Sequence, residues 1–329
     1  MTALSAPSLR CHTRVPTLFG VPKYSRCPLR IGLCGAALAL SVLTGCAGPA
    51  DSTTDERPLV LTTFTVLADL ARNVAGEHLR VESITKIGAE IHGYEPTPSD
   101  IVRASGADLV LENGLNLEAW FAQFVESAEV PHVVVSDGIR VIDIAGDAYA
   151  GKPNPHAWMS PLNAALYVAT MAEAFSELAP EHAADFASNA AGYTAELLAV
   201  QAELEAALST LPANQRALVT CEGAFSYLAR DAGLTERYIW PVNAEQQATP
   251  RQIADTIEFV RDNEVPAVFC ESTVSDRAMQ QVVDATDAVF GGILYVDSLS
   301  EPDGPVATYL DLIRYDTAVI IAGLTGSIR

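Results

Sequence analysis

Short apolar runs alternate with stretches of helical periodicity over most of the chain. In the first half the apolar runs cover residues 59–64, 79–87, 108–112 and 132–135. The spacing between them predicts a helix over 66–75, capped by Thr65 and stopped by Gly76. It predicts another over 98–105, capped by Thr97 with Pro98 at its first position, and a third over 117–128 with Trp120 and Phe121 facing inward. Two helices then follow in succession, 162–178 and 183–208. A helix over 181–210 would be ~45 Å long at the usual rise per residue. That is longer than a small domain needs, and its heptads are not sustained enough for a coiled coil, so it reads as a brace between two lobes. In the second half strands are expected at 216–220, 238–240, 267–270 and 293–296, and helices at 223–232, 250–262, 275–286 and 305–324. Strands alternating with helices indicate parallel pairing. The expected fold is α/β: two lobes, each a parallel sheet flanked by helices, joined by a long helix. The expected segments are 58–150 for the first lobe, 151–212 for the loop and joining helices, and 213–329 for the second lobe. Two open parallel sheets favour a ligand at the carboxyl ends of their strands, in the crevice between lobes.

The first 45 residues stand outside this pattern. They hold five basic residues (Arg10, Arg14, Lys23, Arg26, Arg30) and no acid, then an apolar run over 31–43, then Leu43-Thr44-Gly45-Cys46. A basic region, a short apolar region and small residues before a cleavage point describe a secretory signal. The run falls short of the ~20 apolar residues of a spanning helix. Cys46 directly after Leu-Thr-Gly resembles the lipidated cysteine of a bacterial lipoprotein, which would anchor the chain to the cell membrane on its extracytoplasmic side. Residues 46–57 read as a flexible tether. Of the 20 basic residues, 15 remain once those five are removed, against 41 acidic ones, a formal −26. Such a surface repels nucleic acid and anionic lipid and concentrates cations. Attachment would therefore be by lipid, and nothing in the pattern calls for more than a monomer. Of six cysteines only Cys46, Cys221 and Cys270 lie beyond the signal. Cys221 and Cys270 end two apolar strands, where either a disulfide or two buried thiols would fit.

Candidate chemistry gathers where strands hand over to loops. His92 lies in a loop stiffened by Pro96 and Pro98, a setting that holds a metal ligand at fixed geometry. His156 lies between Pro155 and Trp158 on the loop leading to the joining helices. Glu222 follows the first strand of the second lobe, and Asp297 its last. Glu271, also after a cysteine at a strand end, competes with Glu222. His132 reads as a strand-start residue, His182 as a surface residue at a helix N-terminus, and Tyr94 and Trp158 as cleft-wall packing.

Five motifs carry a resemblance: His-Gly-Tyr-Glu-Pro-Thr-Pro-Ser-Asp (92–100), Asn-Pro-His-Ala-Trp-Met-Ser-Pro (154–161), Cys-Glu-Gly-Ala-Phe-Ser-Tyr-Leu (221–228), Glu-Gln-Gln-Ala-Thr-Pro (245–250) and Val-Asp-Ser-Leu-Ser (296–300). In order and spacing they resemble the metal-binding lipoproteins of ABC-type importers for manganese, zinc or iron. The resemblance implies an extracytoplasmic carrier that delivers a divalent metal to an ABC permease and is not an enzyme. It implies His92, His156, Glu222 and Asp297 as ligands between two lobes, and favours Glu222 over Glu271 by motif position. Many zinc members carry a third histidine where this chain has Glu222, and a histidine-rich loop that it lacks. Two nitrogens and two carboxylates supply up to six donors, which suits manganese or ferrous iron better than the four-coordinate preference of zinc. The rival readings are a lipid-anchored metallohydrolase and a metal-binding adhesin. No HExxH or nucleophile motif supports the hydrolase. The long helix should act as a stiff strut, so that opening is a small tilt or a loop change.

Overall fold

Leu59–Thr62 (β1) is a run of four buried residues, the pattern of a strand covered on both faces. It begins a parallel sheet with Arg80–Ser83 (β2), Leu109–Glu112 (β3) and His132–Val134 (β4), in the order β2-β1-β3-β4. Val60 pairs with Val81 on one side and Leu109 on the other, and Leu111 with Val133. Thr65–Ala75 (α1) and Pro98–Ser105 (α2) connect these strands. The computed structural model describes residues 55–89, 91–118, 120–121, 130–146, 149–242 and 248–327. Cys46 and the signal, most of the tether, most of the helix expected over 117–128, and Glu245–Gln247 of the fourth motif lie outside the described residues.

Ala217–Glu222 (β5) pairs in parallel with Thr235–Trp240 (β6), and Ala267–Glu271 (β7) with Val289–Leu294 (β8). The two ribbons meet through β5 and β7. A disulfide joins Cys221 to Cys270, with Cα atoms 4.8 Å apart, and Glu222 N donates to Glu271 Oε2 at 3.1 Å. The spatial order β6-β5-β7-β8 thus repeats the β2-β1-β3-β4 order of the first half. Ser226–Ala232 (α5), Pro250–Asp262 (α6), Arg277–Ala285 (α7) and Tyr309–Leu324 (α8) accompany these strands.

Pro161–Leu178 (α3) and Ala183–Leu208 (α4) lie between the halves in sequence. The buried residues of α4, from Phe186 through Tyr193, Leu197, Val200 and Leu204 to Leu208, recur at three and four residues and make one continuous stripe. Its polar residues tie it to both halves: Asn189 Nδ2 donates to Val74 O in α1 (3.1 Å), Gln201 Nε2 to Asp231 O in α5 (3.0 Å). One apolar core includes Phe64 and Leu111 of the first half, Trp158, Phe175 and Leu197 of the middle, and Phe225, Phe269 and Tyr309 of the second. A smaller core around Cys221, Trp240, Val260 and Met279 is confined to the second half.

Several boundaries differ from the sequence pattern. Thr65 is the first residue of α1, not its cap; its hydroxyl instead accepts a bond from Leu299 N at 3.1 Å. The 79–87 run forms a strand only over Arg80–Ser83. β8 begins and ends earlier than 293–296 because it includes Gly291 and Gly292. A Cβ on Gly291 would stand 2.3 Å from the Phe269 ring, so the glycine is what lets β8 pair beside that side chain. The last helix starts at Tyr309, where Thr308 accepts from Asp311 N, rather than at Pro305.

Two buried carboxyls set a pH dependence. Glu118 accepts bonds from Asn113 N (2.7 Å), Gly114 N (3.1 Å) and Thr63 Oγ1 (2.7 Å), clamping the ends of β3 and β1. Burial pushes it up to about 7. Glu236 accepts from Ser226, and burial likewise raises it to about 7. Both bind a proton more tightly folded than unfolded. The stabilisation is therefore complete below the ordinary glutamate range and is lost as pH rises through about 7. The melting temperature of metal-free protein should fall between pH 5 and pH 8, with each group contributing on the order of 3 kcal/mol. The Glu118→Gln and Glu236→Gln double variant should show a flatter profile; an unchanged slope would remove these residues as its cause.

Candidate metal centre

The loop that carries His92 is fixed at both ends. Ile91 is buried, and Thr97 and Asp100 form a reciprocal capping box at the start of α2. The Asp100 carboxylate also accepts from Tyr94 Oη (2.9 Å) and Arg103 (2.7 Å). Partial burial opposes ionisation of Asp100, but bonds from Arg103, Thr97 and Tyr94 win and hold it down at about 2. Arg103 then reaches Ser83 O and Ile84 O, which ties α2 to the end of β2.

His156 precedes the short 3-10 turn Ala157–Met159 and is wholly buried. Trp158 packs against its ring and donates from Nε1 to Val296 O at 3.0 Å, one residue before Asp297. Ser298 Oγ accepts from Gly88 N at 2.7 Å, so Asp297 is held between two contacts to the rest of the molecule. Glu222 is the last residue of β5 and is wholly buried. The chain leaves it through Gly223, where a Cβ would stand 2.9 Å from the Tyr238 ring. Glu222 and Glu271 end β5 and β7, the pair of strands at which the connections diverge to opposite sides. In an open parallel sheet that is where a ligand crevice forms.

The four head groups converge. His92 Nε2 lies 3.1 Å from His156 Nε2 and 3.9 Å from both Glu222 Oε1 and Asp297 Oδ1; His156 Nε2 lies 3.7 Å from Asp297 Oδ1. Side-chain exposure is 9% for His92, 0% for Glu222 and 1% for Asp297, so only His92 has contact with solvent to speak of. A 150 Å³ cavity lined by Leu115, Asn116, Tyr149, Pro155 and Val242 opens beside it. Burial, then the neighbouring His92, hold His156 well below the ordinary imidazole range, which keeps it neutral near pH 7.

Asn154 decides which nitrogen of His156 is free to coordinate. Its Nδ2 donates to Gly223 O (2.7 Å) and Ser226 Oγ (3.1 Å), so its Oδ1 must face the histidine. That oxygen accepts from His156 N and from Nδ1–H, both at 3.0 Å. The proton is assigned to Nδ1 and the lone pair to Nε2, the atom that faces His92 and Asp297. The sequence reading missed this residue; its only signal was an amide two positions before the histidine. Glu271 stands behind Glu222, holding its backbone, and burial pushes it up to about 8. His132 is half-exposed at the start of β4, apart from the cluster.

Residues 60–323 match the ZnuA family, described as the periplasmic component A of a zinc-uptake complex. The chain belongs to this family. It is 49% identical over 299 residues to the iron-binding protein YfeA of Yersinia pestis, covering 90% of this chain and 96% of that protein. It is 34% identical over 296 residues to the manganese ABC transporter substrate-binding lipoprotein PsaA of Streptococcus mitis, covering 87% and 96%. Among solved structures, the manganese-bound periplasmic metal-binding protein of Candidatus Liberibacter asiaticus is 35% identical, with a TM-score of 0.76 over 82% of this chain and all of that one. Membership makes the chain a solute-binding protein of an ABC-type metal importer, not an enzyme.

If Asn154 fixes the His156 tautomer, Asn154→Ala should weaken metal binding about 10–100-fold, the usual effect of removing a partner behind a metal-bound histidine. Calorimetric titration should show the loss while circular dichroism stays unchanged. Wild-type affinity in the variant would mean that packing alone orients the ring.

Proposed function

We propose that this protein captures a divalent metal outside the cytoplasm through His92, His156, Glu222 and Asp297 and passes it to an ABC permease, with manganese as the transported ion. The convergence of the four donors carries this reading. Two donors each about 2.1 Å from one ion can stand no more than about 4.2 Å apart. The separations of His92 Nε2 from His156, Glu222 and Asp297, and of His156 Nε2 from Asp297, are 3.1–3.9 Å and fall inside that limit, while His92, His156 and Glu222 offer donor atoms all within 4.8 Å of one another. Two ionised carboxylates would balance the charge of a divalent ion in a site too dry to leave it unpaired. Two nitrogens with up to four carboxylate oxygens favour six-coordinate manganese or ferrous iron over four-coordinate zinc. The relatives named for manganese support the first ion, and the more similar iron-binding relative keeps ferrous iron as the second reading. Zinc should still bind tightly in solution, because affinity for a given site rises along the divalent series from manganese to copper and zinc lies well above manganese. Release would proceed by a small tilt or a local change in the His92 loop, since a wide hinge would expose the core shared by both halves. The protein would act as a monomer, held at the membrane by a lipid on Cys46 and spaced from it by the tether of residues 46–57.

His92→Ala or Asp297→Ala should abolish tight binding by calorimetry, and Glu222→His should shift preference toward zinc. In cells lacking other importers, the wild type should support uptake of radioactive manganese. Uptake of zinc alone would overturn the choice of metal, and tight binding by both alanine variants would overturn the ligand set.

Cys46 should incorporate radioactive palmitate during growth, and Cys46→Ala should not. Label persisting in the variant, or absent from the wild type, would exclude this anchor.

A further inference from the structure

Beyond the signal the chain has five histidines, and four of them occur in two pairs. One pair is His92 with His156. The other, His78 with His182, brings together segments 104 residues apart, and neither belongs to the site described above. His78 follows α1, and His182 ends the 3-10 turn Pro180–His182 that leads into α4. Their rings stack with centroids 3.8 Å apart and planes 17° from parallel. The buried Phe186 ring meets both rings edge-on and forms the floor beneath them. Asp185, in the first turn of α4, lies with a carboxylate oxygen 3.0 Å from His78 Nε2. Donor atoms from His78, His182 and Asp185 all lie within 4.8 Å of one another.

We infer that His78, His182 and Asp185 form a second divalent-metal site, of the zinc class, on the surface where the α1–β2 turn meets the start of α4. Two imidazoles and one carboxylate are a donor set that zinc accepts with water in the fourth position. Softer nitrogen donors predominate, so manganese is disfavoured here relative to the first site. Asp185 has 60% of its side chain exposed, and His78 20%, so water has access to complete the coordination and the ion exchanges readily. The start of a helix disfavours a cation, but Asp185 opposes that field, and the exposed carboxylates of Glu77 and Glu181 adjoin the two histidines in sequence. The lone pairs of stacked rings run side by side, so one ion takes both only when one ring tilts from the stack. Coordination would staple the end of α1 to the strut and exchange the His78–Asp185 hydrogen bond for two metal bonds.

The test is a zinc titration of the purified protein by calorimetry, repeated on His78→Gln, His182→Gln and Asp185→Asn, with an anomalous diffraction map at the zinc edge. The wild type should take two equivalents, the second weaker. Each variant should lose that second equivalent or weaken it at least about tenfold, while the first is unchanged and the melting temperature without metal is retained. Asp297→Ala should keep the weaker equivalent while losing the tighter one, which separates failure of this site from failure of the first. The map should show a peak about 2.0–2.2 Å from His78, His182 and Asp185, with the ring planes opened beyond 17°. A single equivalent in the wild type, a second one that survives in His182→Gln, or an anomalous peak elsewhere would overturn the assignment.

Discussion

Asn154 is the contact on which the centre depends. One side-chain amide receives both hydrogen-bond donors of His156 and gives its own to Gly223 and Ser226. It thus fixes an imidazole from the middle of the chain against the residue that follows Glu222. The constraint it satisfies is general. Polar groups buried in a dry cleft must be held by partners, because unpaired they cost far more than an apolar residue of the same size. A metal-capturing site adds the requirement that one face of each ligand stay available. Asn154 meets both by occupying Nδ1 and leaving Nε2.

The second support is apolar. Trp158 sits under His156 and donates to Val296 O, and Tyr309 in turn donates to Trp158 O. Tyr309 N donates to Asp69 in α1 at 2.8 Å. These bonds run from the middle segment to the loop after β8, to the last helix and back to the first helix. The core that encloses them is continuous. Separating the halves widely would expose Phe64, Trp158 and Tyr309, each buried to within 1% of complete, and burial of each such ring is worth about 2–3 kcal/mol. A local rearrangement near His92, the most exposed of the four candidate ligands, disturbs far less.

Both halves use the strand order 2-1-3-4, and in the second half Glu222 and Glu271 stand at the two strands where the connections diverge. Of these equivalent carboxylates, Glu222 faces the histidines and Glu271 turns its oxygen to the Glu222 backbone. The disulfide one residue before each of them ties β5 to β7, which belong to separate two-stranded ribbons.

Much of this was legible along the chain. The alternation of strands and helices, the 183–208 helix, the Thr97 cap and the α/β class follow from local periodicity and capping, which depend on residues a few positions apart. The candidates His92, His156, Glu222 and Asp297 could be named from the motifs that carry the resemblance, each at a loop that follows a strand or leads into a helix. Other features depend on distant partners. The sequence left Cys221 and Cys270 open between a bond and two thiols. It could not rank Glu222 above Glu271 by physics, since both follow a cysteine at a strand end and only the fold sets which one faces the cleft. Thr65 looked like a cap and is instead a tie to Leu299, more than two hundred residues away. Gly291 carried no sign along the chain that it leaves room for the Phe269 ring. Asn154 was visible only as an amide two positions before a histidine, and nothing local paired His78 with His182. Hydrophobic period and capping are short-range properties and so are written in the chain. Which buried polar group faces which depends on tertiary packing, and only the folded structure decides it.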